Sequence, residues 1–244
     1  MRDLTMLAPE PLISRPLVDV DLEELAAESA RLESCAAGDV VRWAWERFGT
    51  GVFVAASFQD TVLIDVAVRA VPEIEVVFLD TGYHFAETMW FVERVRERYD
   101  LNLTMMQPLV EPDDLWQVDQ NECCAIRKVE PLARALAGRS AWMTGLRRSE
   151  APTRATSPIA HLDVGRGVVK VNPIATWTDL DVSGYIADND LLEHPLTHRG
   201  YPSIGCWPCT QPVREGDDPR AGRWAGSGKT ECGLHGWPDP AQRR

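Results

Sequence analysis

The stretch GVFVAASFQDTVLIDVAVRA, residues 51–70, sets the fold. Its first seven residues, GVFVAAS, form a short apolar run rich in Val and Ala and predict a strand, while Val62, Leu63, Val66 and Val68 in the remainder are spaced mainly for a helix. A tight turn joins the two. The unit recurs: EVVFL at 75–79 predicts a second strand, Asp80-Thr81-Gly82 a turn, residues 85–98 a helix, and 101–106 a further strand. After an irregular acidic stretch at 111–119, a helix is expected over 121–137 and a strand at AWMTG, 141–145. The alternation predicts an α/β fold with a doubly wound, mainly parallel sheet. In such sheets ligands sit beyond the carboxyl ends of the strands, so Ser57, Asp80 to Gly82 and Gly145 to Arg148 should face one crevice.

Downstream, GRG at 165–167 between Leu162-Asp163-Val164 and residues 168–171 reads as a hairpin, and 179–189 as a helix with Thr178 as a candidate cap. Beyond Leu196 the chain is rich in Gly, Pro and Trp without periodicity, so 197–244 is expected to be irregular and held by something other than a core. Upstream, Asp19, Asp21, Glu23, Glu24 and Glu28 read as the solvated face of an N-terminal helix on which Cys35 is a buried small hydrophobe. The expected organisation is a helical segment at 1–50, the α/β domain at 51–196, and a segment at 197–244 packed on that same domain.

With 244 residues and 45% hydrophobic content the chain suits one large domain with appendages. A formal charge of -12 argues against a general nucleic-acid binder, which relies on a cationic surface, so any anion site must be local. There is no run of about 18 apolar residues, and residues 1–12 are interrupted by Arg2, Asp3, Pro9 and Pro11, so a soluble, cytoplasmic protein without a membrane partner is expected.

Six cysteines without a signal peptide are too few and too unevenly placed for a secreted disulfide framework, which turns attention to metal ligation or thiol chemistry. Cys123 and Cys124 are adjacent at the start of a predicted helix, and Cys206 and Cys209 form a CxxC (CWPC) in the irregular region. Spacing leaves a tetrahedral zinc site, a thiol pair and an iron-sulfur cluster open. Adjacent cysteines point in different directions and are awkward as two ligands of one ion, whereas a four-iron cluster can take each thiolate on a different iron. Cys232 stands apart in KTECGLH, 229–235, between potentially cationic Lys229 and His235, neighbours that favour the nucleophilic thiolate. Gly226, Gly228, Gly233 and Gly236 would let this tail approach a substrate.

Six motifs between about residues 52 and 236 together resemble the assimilatory adenylyl-sulfate reductases of the phosphoadenylyl-sulfate reductase family. They are SFQD at 57–60, LDTGYHFAET at 79–88, ECCAIRK at 122–128, TGLRR at 144–148, YPSIGCWPC at 201–209, and KTECGLH. Many relatives carry a longer, glycine-containing turn where this chain has SFQD. The resemblance implies a fold of the adenine-nucleotide α-hydrolase type and a 4Fe-4S cluster on Cys123, Cys124, Cys206 and Cys209. It also implies that adenylyl sulfate and two thiols give sulfite, AMP and a disulfide. Cys232 would attack sulfur, and thioredoxin or a similar dithiol would release sulfite from the S-sulfocysteine. On that reading 51–196 binds nucleotide and 197–244 carries cluster and catalysis.

The substrate's phosphate-sulfate anhydride makes Lys128, Arg147, Arg148, Arg154, Arg220, Arg223 and His235 natural candidates to bind it. Lys128 follows Cys124 by four residues, so one helical turn could set it beside both cluster and substrate. Any of Arg147, Arg148 and Arg154 could instead be a surface arginine or pair with Glu150. Ser57, Phe58, Leu79, Asp80, Gly82 and Gly145 resemble the family's adenosine-binding edges, with Asp80 on the ribose or capping a turn. The rival readings are a phosphoadenylyl-sulfate reductase, whose pattern usually lacks both cysteine pairs, and a non-catalytic zinc-stabilised binding module. Reductant and oligomeric state are left open, a homo-oligomer included.

Overall fold

A computed structural model of the chain describes residues 20–229 and 231–234. Strands β1 (Val52–Ala56), β2 (Glu75–Leu79), β3 (Leu103–Met106), β4 (Ala141–Thr144), β5 (Ala160–Asp163) and β6 (Val168–Val171) form one sheet in the order β3-β2-β1-β4-β6-β5. Every neighbouring pair is parallel except β5 with β6, the hairpin expected around residues 165–167. The chain runs outward from β1 through β2 to β3, then crosses back to set β4 on the other side of β1. The carboxyl ends of β1 and β4 therefore flank the switch point, where crossovers diverge and leave a crevice.

The inner strands are apolar throughout because both faces are covered. Val52 and Val54 of β1, Val76 and Phe78 of β2, Met143 of β4 and Val169 and Val171 of β6 enter one core, while their neighbours Phe53, Val77, Trp142 and Val168 enter the other. The first core is closed by α1 (Leu22–Leu32), α2 (Ala37–Phe48), α3 (Val62–Ala70) and α4 (Ala86–Tyr99), the second by Leu132 and Leu136. Between β3 and β4 lie α5 (Leu115–Val118), α6 (Gln120–Cys124) and α7 (Glu130–Ala135), and α8 (Asp179–Asp188) follows β6. Thr178 caps α8, accepting a hydrogen bond from Asp181 N at 3.2 Å.

Three elements depart from their expected bounds for local reasons. The helix expected from Phe58 begins at Val62, because Phe58 takes a left-handed φ of 54° and turns its ring into the core, edge-on to Phe78 at 5.2 Å. Asp60 then accepts from Val62 N at 3.0 Å. The expected strand at 101–106 starts at Leu103, since Asp100 closes α4 in the left-handed region and Leu101 N donates to Arg96 O. The long helix expected over 121–137 is divided by a π-helical turn, Ala125–Val129, in which Glu130 N donates five residues back to Ala125 O. Pro131 explains it: the ring has no N–H and would press on the carbonyl four residues earlier, and a wider turn relieves that contact. Cys35 lies beyond the end of α1 rather than on it, half-buried at the rim of the core.

The irregular C-terminal stretch is stitched to this frame. Gln59 Oε1 accepts from Ile204 N at 3.0 Å, Cys206 pairs antiparallel with His84, and Trp207 N donates to Tyr83 O at 2.7 Å. His194, 1% exposed, exchanges a 2.9 Å hydrogen bond with Thr88 Oγ1, and burial pulls its pKa down to about 4. In the unfolded chain this imidazole takes up a proton below about pH 6.5, so its contribution is intact at neutral pH and is lost as pH falls toward 4. The cost is up to about 3 kcal/mol. Urea unfolding between pH 7 and 4.5 is therefore expected to show acid destabilisation that is reduced in His194→Gln.

Candidate active site

The strand ends open into a cleft at the switch point. Its floor is small or apolar: Ala55, Ala56 and Ser57 from the end of β1, Leu79 from β2, and Thr144 and Gly145 from β4. Four cations, Lys128, Arg154, Arg220 and Arg223, line the cleft together with the carboxylates Asp60, Glu150 and Glu231, and Cys232 lines it as well. A second, smaller pocket is lined by Cys123, Cys124, Cys206 and Cys209. Lys128 and Trp224 belong to both, so they form the partition between thiols and cleft.

The thiols are held by two unrelated pieces of chain. Cys123 and Cys124, both 8% exposed, end α6, whose first turn is capped by Asp119 through Asn121 N at 2.8 Å and Glu122 N at 3.0 Å. Cys206 is held by its bridge to His84 and lies 3.3 Å from Thr81 Oγ1. Burial first, then the neighbouring thiols, pushes Cys123 up to about 11, and burial likewise raises Cys124 and Cys209. Such a set is poorly suited to remain as free thiolates and well suited to a cationic, sulfur-seeking centre that removes the repulsion. Among the described residues no three His, Cys, Asp or Glu side chains converge on a single ion position. Four thiols around one pocket are the donor set that a sulfur-seeking metal centre takes. Arg127, 2% exposed, completes the wall, stacking 4.6 Å over Tyr83 and donating to Glu111 O at 2.6 Å.

In the cleft, burial works against the charge of Lys128, yet attraction to the sulfurs of Cys206 and Cys232 holds its ammonium above the usual lysine range. Burial lowers Arg223, which lies 4.7 Å over Trp224 and donates to Ser203 Oγ at 3.2 Å and Ile204 O at 3.3 Å. Its Nε finds no partner among the described residues. His84 is pulled down to about 4 by burial and donates from Nε2 to Leu79 O at 3.0 Å.

Not every residue singled out from the sequence reaches this cleft. Ser57, Leu79, Gly145, Lys128, Arg154, Arg220, Arg223 and Cys232 line it. Phe58 does not, being 1% exposed in the core. Asp80 caps its own turn, accepting from Gly82 N at 3.0 Å and Gln107 Nε2 at 2.9 Å, while Gly82 faces Pro112 and Arg127. Arg147 is turned to Asp179 at 2.6 Å, and Arg148 to Ser157 O at 2.8 Å and Glu33 Oε2 at 2.9 Å. His235 lies outside the described residues. Sequence reading missed Gln59, Trp224 and Glu231. Gln59 sits inside the SFQD motif and Glu231 beside Cys232, so adjacency was their only signal.

Gly205 shows how closely the cation is seated: a Cβ there would lie 2.3 Å from Arg223 Nη2. Gly205→Ala is expected to push the guanidinium aside and weaken anion binding in the cleft, in the same direction as Arg223→Ala, with the double variant no worse than Arg223→Ala alone. Steady-state kinetics on the three proteins check this.

The fold and site define an α/β protein of the adenine-nucleotide α-hydrolase type, with a thiol and four cations in the cleft at its switch point. Candida glabrata FMN adenylyltransferase, solved with FAD and inorganic pyrophosphate, shares the fold at TM-score 0.58 and 15% identity, over 80% of this chain and 68% of that one. Nearer likeness is found in the phosphoadenylyl-sulfate reductase of Candida auris, solved as a phosphate complex: TM-score 0.71, 28% identity, 80% of this chain and 99% of that one. An adenosine 5'-phosphosulfate reductase of Mycolicibacterium smegmatis is 49% identical over 224 residues, 88% of this chain and 95% of the relative. One of Rhodococcus opacus is 47% identical over 234 residues, with the same coverage. The phosphoadenosine phosphosulfate reductase domain matches residues 51–212. The chain belongs to that family.

Proposed function

We propose that this protein is an oxidoreductase of sulfate assimilation that reduces adenylyl sulfate to sulfite and AMP at the expense of two thiols. The observation that carries the reading is the convergence of Cys232, Lys128, Arg220 and Arg223 on one cleft whose wall is shared with the four-thiol pocket. The relatives named adenosine 5'-phosphosulfate reductase, matched over nearly their whole length, support it.

The cations would neutralise the phosphosulfate oxygens and orient the anhydride toward Cys232. The Cys232 thiolate would attack sulfur, forming an S–S bond as the S–O bond to phosphate breaks and AMP leaves with that electron pair. One thiolate of thioredoxin or a similar cytoplasmic dithiol would attack Cys232 Sγ, forming a mixed disulfide as the bond to sulfite breaks, and the dithiol's second thiol would then displace Cys232 and close the reductant's own disulfide. The two thiols supply both electrons. Cys123, Cys124, Cys206 and Cys209 would hold a 4Fe-4S cluster, which when bound would relieve the repulsion among the four thiolates and tie 197–244 to the rest of the fold. We read 51–196 as the nucleotide-binding domain, 1–50 as a helical segment on it, and 197–244 as its cluster-binding and catalytic segment, whose packing on that same domain is supported by the Gln59–Ile204 and His84–Cys206 pairings.

The test is sulfite production from adenylyl sulfate and reduced thioredoxin, with iron, sulfide and zinc quantified on the same anaerobic sample. Activity with about four iron and four sulfide per chain is expected, using the stoichiometry of such clusters. A strong preference for the 3'-phosphorylated nucleotide would move the assignment to phosphoadenylyl-sulfate reduction. Colourless, zinc-loaded and fully active protein would remove the cluster.

A further inference from the structure

Glu231 immediately precedes Cys232, and its carboxylate meets Arg154 along both forks: Nε to Oε1 and Nη2 to Oε2 are each 2.7 Å. The two side chains are 8% and 18% exposed, Glu150 holds Arg154 from another side, and Arg220 Nη2 lies 3.7 Å from the same Glu231 carboxylate. A two-point, charge-assisted pairing of this kind fixes direction as well as distance. Around it the tail has few anchors among the described residues. At Gly226 and Gly228 a Cβ would meet nothing within 4 Å. Lys229 Nζ reaches Asn121 Oδ1 at 2.8 Å, Arg166 Nη2 lies 3.4 Å from Gly233 O, and Leu234 packs on the Trp142 side of the sheet.

We propose that Glu231 is the positioning residue for Cys232: its clamp on Arg154 docks the tail so that the thiol faces the cleft. The proposal rests on Cys232 being the nucleophile. A carboxylate beside a thiolate and an anionic substrate repels both unless it is neutralised, and Arg154 and Arg220 supply that neutralisation. Because Arg154 also lines the cleft, removing Glu231 leaves more positive charge facing a bound anion. Positioning and binding therefore separate: the first falls, the second does not.

Glu231→Ala and Glu231→Gln test this in the full, metal-replete chain. Three changes are expected in both: transfer of labelled sulfite to Cys232 at saturating adenylyl sulfate slows about tenfold or more, AMP affinity is unchanged or higher, and iodoacetamide alkylates Cys232, located by peptide mapping, several-fold faster without nucleotide. Alkylation at the wild-type rate would overturn the clamp, and so would adduct formation at the wild-type rate or AMP binding weakened in step with the adduct. If the wild-type protein itself forms no adduct, the functional reading fails, while alkylation alone still decides whether Glu231 docks the tail.

Discussion

Cys232→Ser is expected to abolish sulfite release, by at least about 10³-fold, while leaving AMP binding intact. Serine keeps the size and hydrogen-bonding capacity of the side chain, but its hydroxyl ionises far above the range of a thiol, and oxygen could not form the S–S bond on which the second step depends. The tail contacts are made by the neighbours, Glu231 to Arg154 and Leu234 to the Trp142 side of the sheet, so docking should persist. Isotopically labelled substrate and isolation of the protein adduct provide the measurement. Adduct at normal yield in the serine variant would place the nucleophile elsewhere, Cys35 being the remaining cysteine outside the four-thiol pocket.

Lys128→Ala should retain iron and sulfide yet lose about 10²- to 10³-fold in kcat, the scale for removing one preorganised charge from a site where negative charge develops. Lys128 contributes no sulfur ligand and stands in the partition between the thiol pocket and the cleft. Its ammonium can answer the thiolates on one side and the departing phosphate on the other, so its loss should be felt in the chemical step more than in assembly. Lys128→Arg is expected to recover only part of the rate, because a planar guanidinium cannot occupy the position of a compact ammonium. Metal content, single-turnover adduct formation and AMP titration distinguish these effects. Unaltered turnover in Lys128→Ala would remove the residue from the mechanism.

The π-helical turn matters to that second prediction. On a regular helix Lys128 would stand one turn from Cys124, and the sequence spacing rested on that geometry. In the molecule the Ala125–Val129 turn is widened, yet Lys128 still lines both pockets. The expected neighbour relation survives even though the local path differs. Relieving the turn by Pro131→Ala would test whether the widened geometry sets the placement of Lys128.

The strands and their order of appearance were readable because parallel strands covered on both faces are written as apolar runs, and β2 falls at the residues EVVFL that predicted it. The cysteine pairs were readable for a related reason: each pair is local, and only the meeting of the two is not. Phe58 could not be read correctly, since the left-handed turn that sends its ring under Phe78 depends on the space left beneath β2. The arginines were unreadable in the same way. Arg147, Arg148 and Arg154 stand within eight residues of one another in sequence and carry the same charge. What separates them is Asp179, Glu33 and Glu231, partners 32, 115 and 77 positions away.

By itself, then, the sequence determined the sheet, the switch-point location of the cleft, the two cysteine pairs and the separate position of Cys232, since periodicity and short motifs act over a few residues. Tertiary structure alone decided which cations face the cleft and that Glu231 holds the segment bearing Cys232. Ion pairing is set by distance in space, and the folded sheet brings residues 154 and 231 within 2.7 Å, a closeness that no local pattern encodes.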